Sequence, residues 1–243
     1  MPVYFLTNEL YFPDPGDALE DGLLALGGDL KRERLLLAYR SGIFPWYAEG
    51  SPILWWSPDP RMILYPHAIN VSKSLRQLLN RDPFEVHFDT RFGDVIRHCA
   101  RAERKGQDGT WINEEMIAAY ENLHREGYAH SVECYRDGRL SGGLYGLSLG
   151  KAFFGESMFY RERDASKVAL YHLAQRLRKW NFHFIDAQQE TEHLRRVGAL
   201  PVPRREFLGM LRKALKYETL KGPWTNIDHK PRNHSGRNRT ASG

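Results

Sequence analysis

The stretch that most constrains the fold is Arg139–Phe159, RLSGGLYGLSLGKAFFGESMF, together with the residues just before it. Val132 and Cys134 alternate with Glu133 and Tyr135, the period of a strand. Asp137-Gly138 then supplies the backbone freedom of a tight hairpin turn. The run that follows divides into two further strands with a turn near Leu149-Gly150. Gly142, Gly143, Gly146 and Gly155 thin these strands, and a strand glycine marks a bulge or a close backbone approach as readily as an ordinary turn.

Helical patterns flank this sheet. A short helix is expected from about Arg32 to Tyr39, with Asp29 as its cap. Ser72 precedes Leu75, Leu78 and Leu79. Asp89 or Thr90 precedes Phe92, Val95, Ile96 and Cys99, and Asn113 precedes Met116, Ala119, Tyr120 and Leu123. Beyond Asp164 and Ser166 a helix runs to about Trp180, FHFID at 182–186 is a strand, and Phe207, Met210, Leu211 and Ala214 mark a last helix. This order is α+β. The first sixty or so residues are punctuated by Gly and Pro and rich in aromatics. They are expected to form a small N-terminal α+β domain (1–65) packed on a larger domain (66–217). Residues 218–243, basic and rich in Asn, Ser and Gly, are expected to be a disordered tail.

Composition excludes several classes. A hydrophobic content of 42% and an aromatic content of 12% in 243 residues fit a folded chain. No apolar run is long enough to span a bilayer, and the start has no signal-peptide pattern, so a cytoplasmic location is expected. Two cysteines, Cys99 and Cys134, make neither a disulfide framework nor a zinc site, and the ten histidines show no HExxH spacing; no metal is expected. Neither GxGxxG before a helix nor a P-loop is present. The net charge of +5 permits a polyanionic partner without requiring one.

Several residues invite chemistry. In FIDAQQE, Asp186 and Gln188 sit two apart at the end of a strand; they either emerge into solvent or are hydrogen-bonded groups of a site. Glu156 lies among Phe153, Phe154, Gly155, Met158 and Phe159, either on an open strand edge or holding a cationic group. Trp46, Trp55, Trp56 and Trp111 lie in irregular segments, where aromatics stack on exposed bases or pack domains together. His193, Arg195, Arg196, Arg204 and Arg205, with Arg176, Arg178 and Lys179, read as a phosphate-binding rim or a solvated helix face.

GLLALGGDL, AYRSGIFPWY, PILWWSPDPR, GTWI, SGGLYG, FFGESMF, ASKVAL, FIDAQ and HLRRVGALPVPRREF, in that order over roughly residues 12 to 210, resemble the bacterial leucyl/phenylalanyl-tRNA–protein transferases. The resemblance implies an acetyltransferase-like C-terminal domain. It also implies a monomer without a cofactor that moves Leu or Phe, and Met less well, from aminoacyl-tRNA to proteins beginning with Arg or Lys, marking them for degradation. By the same resemblance Asp186 and Gln188 form the catalytic pair, and Trp46 and Trp111 hold the terminal adenosine. Leu144, Phe153, Gly155, Leu173 and Ile185 form the side-chain pocket, and Glu156 is an acid at the active centre. Phe154 and Ala187 stand where cysteines are familiar, and Leu144 and Leu173 replace a Met and a Phe. From these roles, Asp186 is expected to accept from the Gln188 amide NH₂. Two other readings remain beside it. An acetyl-CoA-dependent N-acetyltransferase would need a [QR]-x-x-G-x-[GA] loop, which the turn after FFGESMF lacks. A non-catalytic RNA-binding adaptor would suit the tryptophans and basic runs.

Overall fold

The computed structural model describes residues 3–81, 83–102 and 111–226. The N-terminal segment is more regular than its Gly and Pro content suggests. β1 (Tyr4–Leu6), β2 (Leu23–Gly27), β3 (Phe44–Pro45) and β4 (Leu54–Trp56) form a sheet in the order β1-β2-β4-β3, with α1 (Arg32–Arg40) between β2 and β3. Strands of two to five residues carry too little periodicity to be read from sequence. The next strand, β5 (Arg61–Leu64), leaves this sheet for the larger one.

The remaining elements are α2 (Lys73–Arg81), β6 (Glu85–Phe88), α3 (Phe92–Arg101), α4 (Glu114–Arg125), β7 (Ala129–Arg136), β8 (Arg139–Leu149), β9 (Ala152–Tyr160), α5 (Ala165–Lys179), β10 (Phe184–Gln188), α6 (Glu192–Arg196), β11 (Leu200–Val202) and α7 (Arg204–Ala214). The seven-stranded sheet runs β11-β5-β10-β9-β8-β7-β6. Its neighbours are antiparallel except β9 and β10, which are parallel. The α+β organisation expected from the sequence is present.

The sheet is covered on both faces. One face packs Tyr145, Leu147, Phe154 and Phe184 against α1, α3, α4, α7 and the N-terminal sheet. The other packs Leu144, Phe153 and Ile185 against α2 and α5. The Asp137-Gly138 turn has positive φ at both residues, 49° and 71°, as the tight hairpin requires. Gly146 is needed for closeness: a Cβ there would lie 2.1 Å from the Phe154 carbonyl oxygen.

The caps expected from sequence divide. Ser72 Oγ accepts from Leu75 N at 3.2 Å, and Asn113 Oδ1 from Met116 N at 2.9 Å. Asp29 does not cap α1; its carboxylate accepts from Lys31 N and lies 3.5 Å from Arg34 Nε. Asp89 and Thr90 do not cap α3 either. Thr90 Oγ1 donates to Glu133, and Asp89 accepts from Ser131 N and His130 Nδ1 at 2.8 Å each. Both are drawn away by buried partners on β7, a pull that local spacing does not carry.

The expectation of a free tail from Glu218 onward is corrected for residues 218–226. Trp224 is fully buried. Its ring stacks on His130 at 3.8 Å and lies edge-on to Trp180 at 5.0 Å, and its backbone N–H donates to Asp89 Oδ2 at 2.7 Å. An indole this size in a cavity of aromatic neighbours outweighs the ordering entropy of a few residues. Residues 227–243 lie outside the described residues. Trp224→Ala is expected to destabilise the fold by roughly 3–5 kcal/mol, read as a lowered urea midpoint with an unchanged slope.

Candidate functional site

The site forms where the parallel pair comes apart. β9 and β10 pair over only three residues, Ala152↔Phe184, Phe153↔Ile185 and Phe154↔Asp186. Just beyond, both strands bulge. Against β8 the register of β9 shifts between Gly155 and Ser157, leaving Glu156 as the extra residue. Against β5 the register of β10 shifts between Asp186 and Gln188, leaving Ala187 as the extra residue. Gln188 has a positive φ of 62°, a conformation uncommon outside glycine and of the kind that clusters at functional sites.

Asp186 faces inward and is fully buried. Arg61, equally buried, meets it with two parallel bonds: Nε to Oδ1 and Nη2 to Oδ2, both 2.8 Å. Arg61 also donates to the Gly42 carbonyl at 3.2 Å, and its guanidinium lies 4.7 Å from the ring centroids of Phe44 and Phe207. A buried charge is tolerated only when paired and hydrogen-bonded in this way. Asp186 Oδ1 further accepts the Gln188 backbone N–H at 2.9 Å, which holds the turn at the end of β10.

The Gln188 side chain goes elsewhere. Its amide Nε2 donates to Glu156 Oε1 at 3.0 Å. The expected bond from that amide to Asp186 is therefore corrected. The bulge at Ala187 breaks the strand's period of two, and the acid that meets the amide is Glu156 on the neighbouring strand. Glu156 also accepts from Tyr39 at 2.7 Å and Tyr120 at 3.1 Å, and these two hydroxyls hydrogen-bond each other. With its amide nitrogen directed at Glu156, Gln188 leaves its carbonyl oxygen without a hydrogen bond among the described residues.

Glu156 has its carboxyl pushed up from 4.5 to about 7. Burial is the main cause. The Asp186 charge adds to it, and the bonds from Tyr39, Tyr120 and Gln188 oppose it. Tyr39 and Tyr120 are held well above the usual phenol range, first by burial and then by the Glu156 charge.

Beside this network lies a cavity of about 570 Å³. Of the residues expected in the site, Trp111, Leu144, Phe153, Gly155, Glu156, Leu173 and Ile185 line it. Asp186 and Gln188 are not among its lining residues; Gln188 meets the lining through its bond to Glu156. Trp46 is not among the lining residues. It pairs through its backbone N–H with Leu54, accepts from Trp56 Nε1 at 2.6 Å and packs edge-on to that ring. Trp55 is a core residue against Phe12.

Of the basic run, His193 reaches the cavity wall. Arg195 and Arg196 pair with Glu190 and Glu192, Arg204 is bound to Ser57 and Asp59, and Arg176 lies over Phe88. Sequence reasoning does not pick out Arg61, Tyr39 and Tyr120. Arg61 and Tyr39 fall within PILWWSPDPR and AYRSGIFPWY, but their partners are 125 and 117 residues away. Among the described residues no three His, Cys, Asp or Glu side chains converge as metal ligands, and no helix is long and apolar enough to cross a membrane.

The carboxyl of Glu156 carries a pH signature. A folded-state value above the unfolded one favours the protonated form. Its contribution to stability is complete below about pH 4.5 and is lost as pH rises through about 7. Glu156→Gln, which keeps the shape of the neutral acid, is expected to remove that part of the pH dependence. The effect reaches up to about 3 kcal/mol, measured as unfolding free energy across this range.

The family model described as leucyl/phenylalanyl-tRNA protein transferase matches residues 63–212, and the model for the N-terminal domain of that family matches residues 28–59. A leucyl/phenylalanyl-tRNA–protein transferase from Myxococcus xanthus is 55% identical over 227 residues, covering 93% of this chain and 97% of the relative. Another, from Syntrophobacter fumaroxidans, is 57% identical over 211 residues, covering 87% and 90%. Among solved structures, a protein described as L-PGS from Bacillus licheniformis is 14% identical with a TM-score of 0.38, covering 67% of this chain and 51% of its own.

Proposed function

Because the chain belongs to the leucyl/phenylalanyl-tRNA–protein transferase family, a family of aminoacyltransferases, we propose that it moves Leu, Phe and, less well, Met from charged tRNA. The acceptor is the α-amine of a protein beginning with Arg or Lys. The modification marks that protein for degradation, and the enzyme acts as a cytoplasmic monomer without a cofactor. The observation that carries this reading is the Gln188 amide, held by Glu156, a residue that lines the apolar cavity, with the Gln188 carbonyl oxygen unbonded among the described residues.

The chemistry needs little. An aminoacyl ester is already activated, and an α-amine with a pKa of about 8 is partly neutral at physiological pH. The amine nitrogen attacks the ester carbonyl. A C–N bond forms, the C–O bond to the terminal ribose breaks, and the amine's proton ends on the departing ribose oxygen. Gln188 accepts a hydrogen bond from the attacking amine and aims its lone pair. Glu156 is the residue that holds the amide, and with both its oxygens engaged it serves Gln188 rather than the acceptor's cationic side chain. Asp186 acts from behind, fixing the backbone of the turn.

Leu144, Phe153, Leu173 and Ile185 give the cavity its apolar walls. They suit unbranched or γ-branched side chains and reject β-branched ones. One methylene is worth only ~1–3 kcal/mol, so selection among Leu, Phe and Met is graded. Trp111 lines the cavity wall, which supports its role of stacking on the terminal adenine, and Trp46 packs beside Trp56 outside that wall.

The decisive assay supplies radiolabelled Leu-tRNA and a peptide beginning with Arg. Gln188→Ala is expected to lower kcat by roughly 10²-fold or more while its circular dichroism stays that of the folded protein. Unchanged turnover in a folded variant removes Gln188 from the mechanism. Gly155→Ala tests the pocket. Its added methyl would meet only Asp186 O at 3.6 Å and Ile185 Cγ2 at 3.8 Å, ordinary contacts. It is expected to lower Phe transfer relative to Leu by roughly tenfold, read as the ratio of the two kcat/KM values.

A further inference from the structure

The apolar cavity has an end wall. On β9 its lining begins at Phe153 and continues through Gly155 to Met158; on β8 it includes Leu144 but neither Gly146 nor Ser148. Phe153 thus closes the cavity on the side of the β8–β9 turn. Two residues earlier, Lys151 already belongs to other surroundings, where its Nζ donates to the Trp180 carbonyl at 2.7 Å. The Phe153 ring lies close over β8: a Cβ at Gly146 would stand 2.6 Å from its Cε1. Ile185 is its register partner on β10.

Trp224 packs behind this wall. Its ring centroid lies 5.9 Å from that of Phe153, with the planes inclined at 43°, and it is not among the residues that line the cavity. Both rings are buried. The support is stiff. Trp224 stacks on His130, and Asp89 Oδ2 meets both members of the stack, His130 Nδ1 at 2.8 Å and the Trp224 backbone N–H at 2.7 Å. The Trp224 carbonyl accepts from Arg176 Nη1 at 2.7 Å, on the helix that also supplies Leu173 to the cavity. The preceding residues are fastened as well: Thr219 Oγ1 accepts from Gly150 N at 3.0 Å, and Gly222 N donates to the Gly127 carbonyl at 3.3 Å. In a close-packed interior, a ring held in this way passes its position on to its neighbour.

Resting on the function proposed above, we propose that Trp224 is a specificity-determining positioning residue, which holds Phe153 forward and so sets the depth of the pocket for the transferred side chain. It acts on the donor only through Phe153. A smaller side chain at position 224 leaves a void behind the wall, and neighbouring groups relax into such a void in part. The Phe153 ring moves back and the pocket deepens. Phe, the longer donor side chain, gains more from that depth than Leu does.

The test compares Trp224→Phe and Trp224→Leu in the full chain, each alone and each combined with Phe153→Leu. The kcat/KM values are measured for leucyl-tRNA and phenylalanyl-tRNA with a peptide beginning with Arg. Loss of folded protein lowers both values in proportion, so their ratio reads the pocket and not the stability. The Phe-to-Leu ratio is expected to rise roughly threefold in Trp224→Phe and roughly tenfold in Trp224→Leu. With Phe153→Leu in place there is no ring to hold, and the substitutions at 224 are expected to leave the ratio within about twofold. An unchanged ratio in the single variants overturns the proposal, because a residue that only stabilises the core moves both donors together. An equal shift with and without the Phe153 ring overturns it too, since the effect then reaches the pocket by another route. Crystal structures of the two single variants form the second arm. The Phe153 ring is expected to be displaced toward position 224, and a ring that stays in place beside the void overturns the proposal. If wild-type protein transfers from neither donor, the proposed activity fails, while the position of the ring still decides whether Trp224 holds the wall.

Discussion

The buried pair between Arg61 and Asp186 is the constraint on which the rest of the site depends. It joins β5 to β10, the second and third strands from the β11 edge of the large sheet, and through the Gly42 carbonyl it reaches into the N-terminal segment. Two charges fully removed from water are stable only with this degree of mutual satisfaction. Losing either partner strands the other. The rings of Phe44 and Phe207 sandwich the guanidinium and so fix its plane. Asp186 therefore cannot turn toward the cavity, and its remaining capacity goes to the Gln188 backbone amide.

From that anchored point the sheet can open without unravelling. A parallel pair that ends after three residues leaves two strand edges unsatisfied, and polar edges beside a core are costly. Here the bulges at Glu156 and Ala187 turn side chains into the gap, and the amide-to-carboxylate bond bridges it. Tyr39 and Tyr120, from α1 and α4, fasten the carboxylate from the other face of the sheet. The apolar cavity, lined by Gly155, Glu156 and Ile185, opens where this regular pairing ends.

Much of this was legible in the sequence, for reasons specific to each element. The Asp137-Gly138 hairpin, the Asn113 cap and the apolar face of α5 follow rules that act over a few residues, and all three are present. Seven of the residues assigned by family resemblance line one cavity. The N-terminal domain was expected to be α+β, but its individual strands were not legible, because they are too short for a period to show. Nor was the docking of Trp224: a basic, polar composition says nothing of a pocket built by β7, α5 and the segment between α5 and β10. Asp89 and Thr90 stood at the right spacing to cap α3 and were instead recruited by buried groups on β7.

By itself the sequence determined the α+β class, the positions of most helices and hairpin strands, the family, and the presence of an acid and an amide near the end of one strand. Only the tertiary structure decided which group each of them meets. Alternation along FIDAQ placed Asp186 with Gln188, yet the bulge sent the amide to Glu156, 32 residues earlier, and the acid to Arg61, 125 residues earlier. The physical reason is one of range. Helix caps, turns and periodicity are settled by neighbours in the chain, whereas a buried polar group takes whichever partner the packing of distant elements brings within hydrogen-bonding distance.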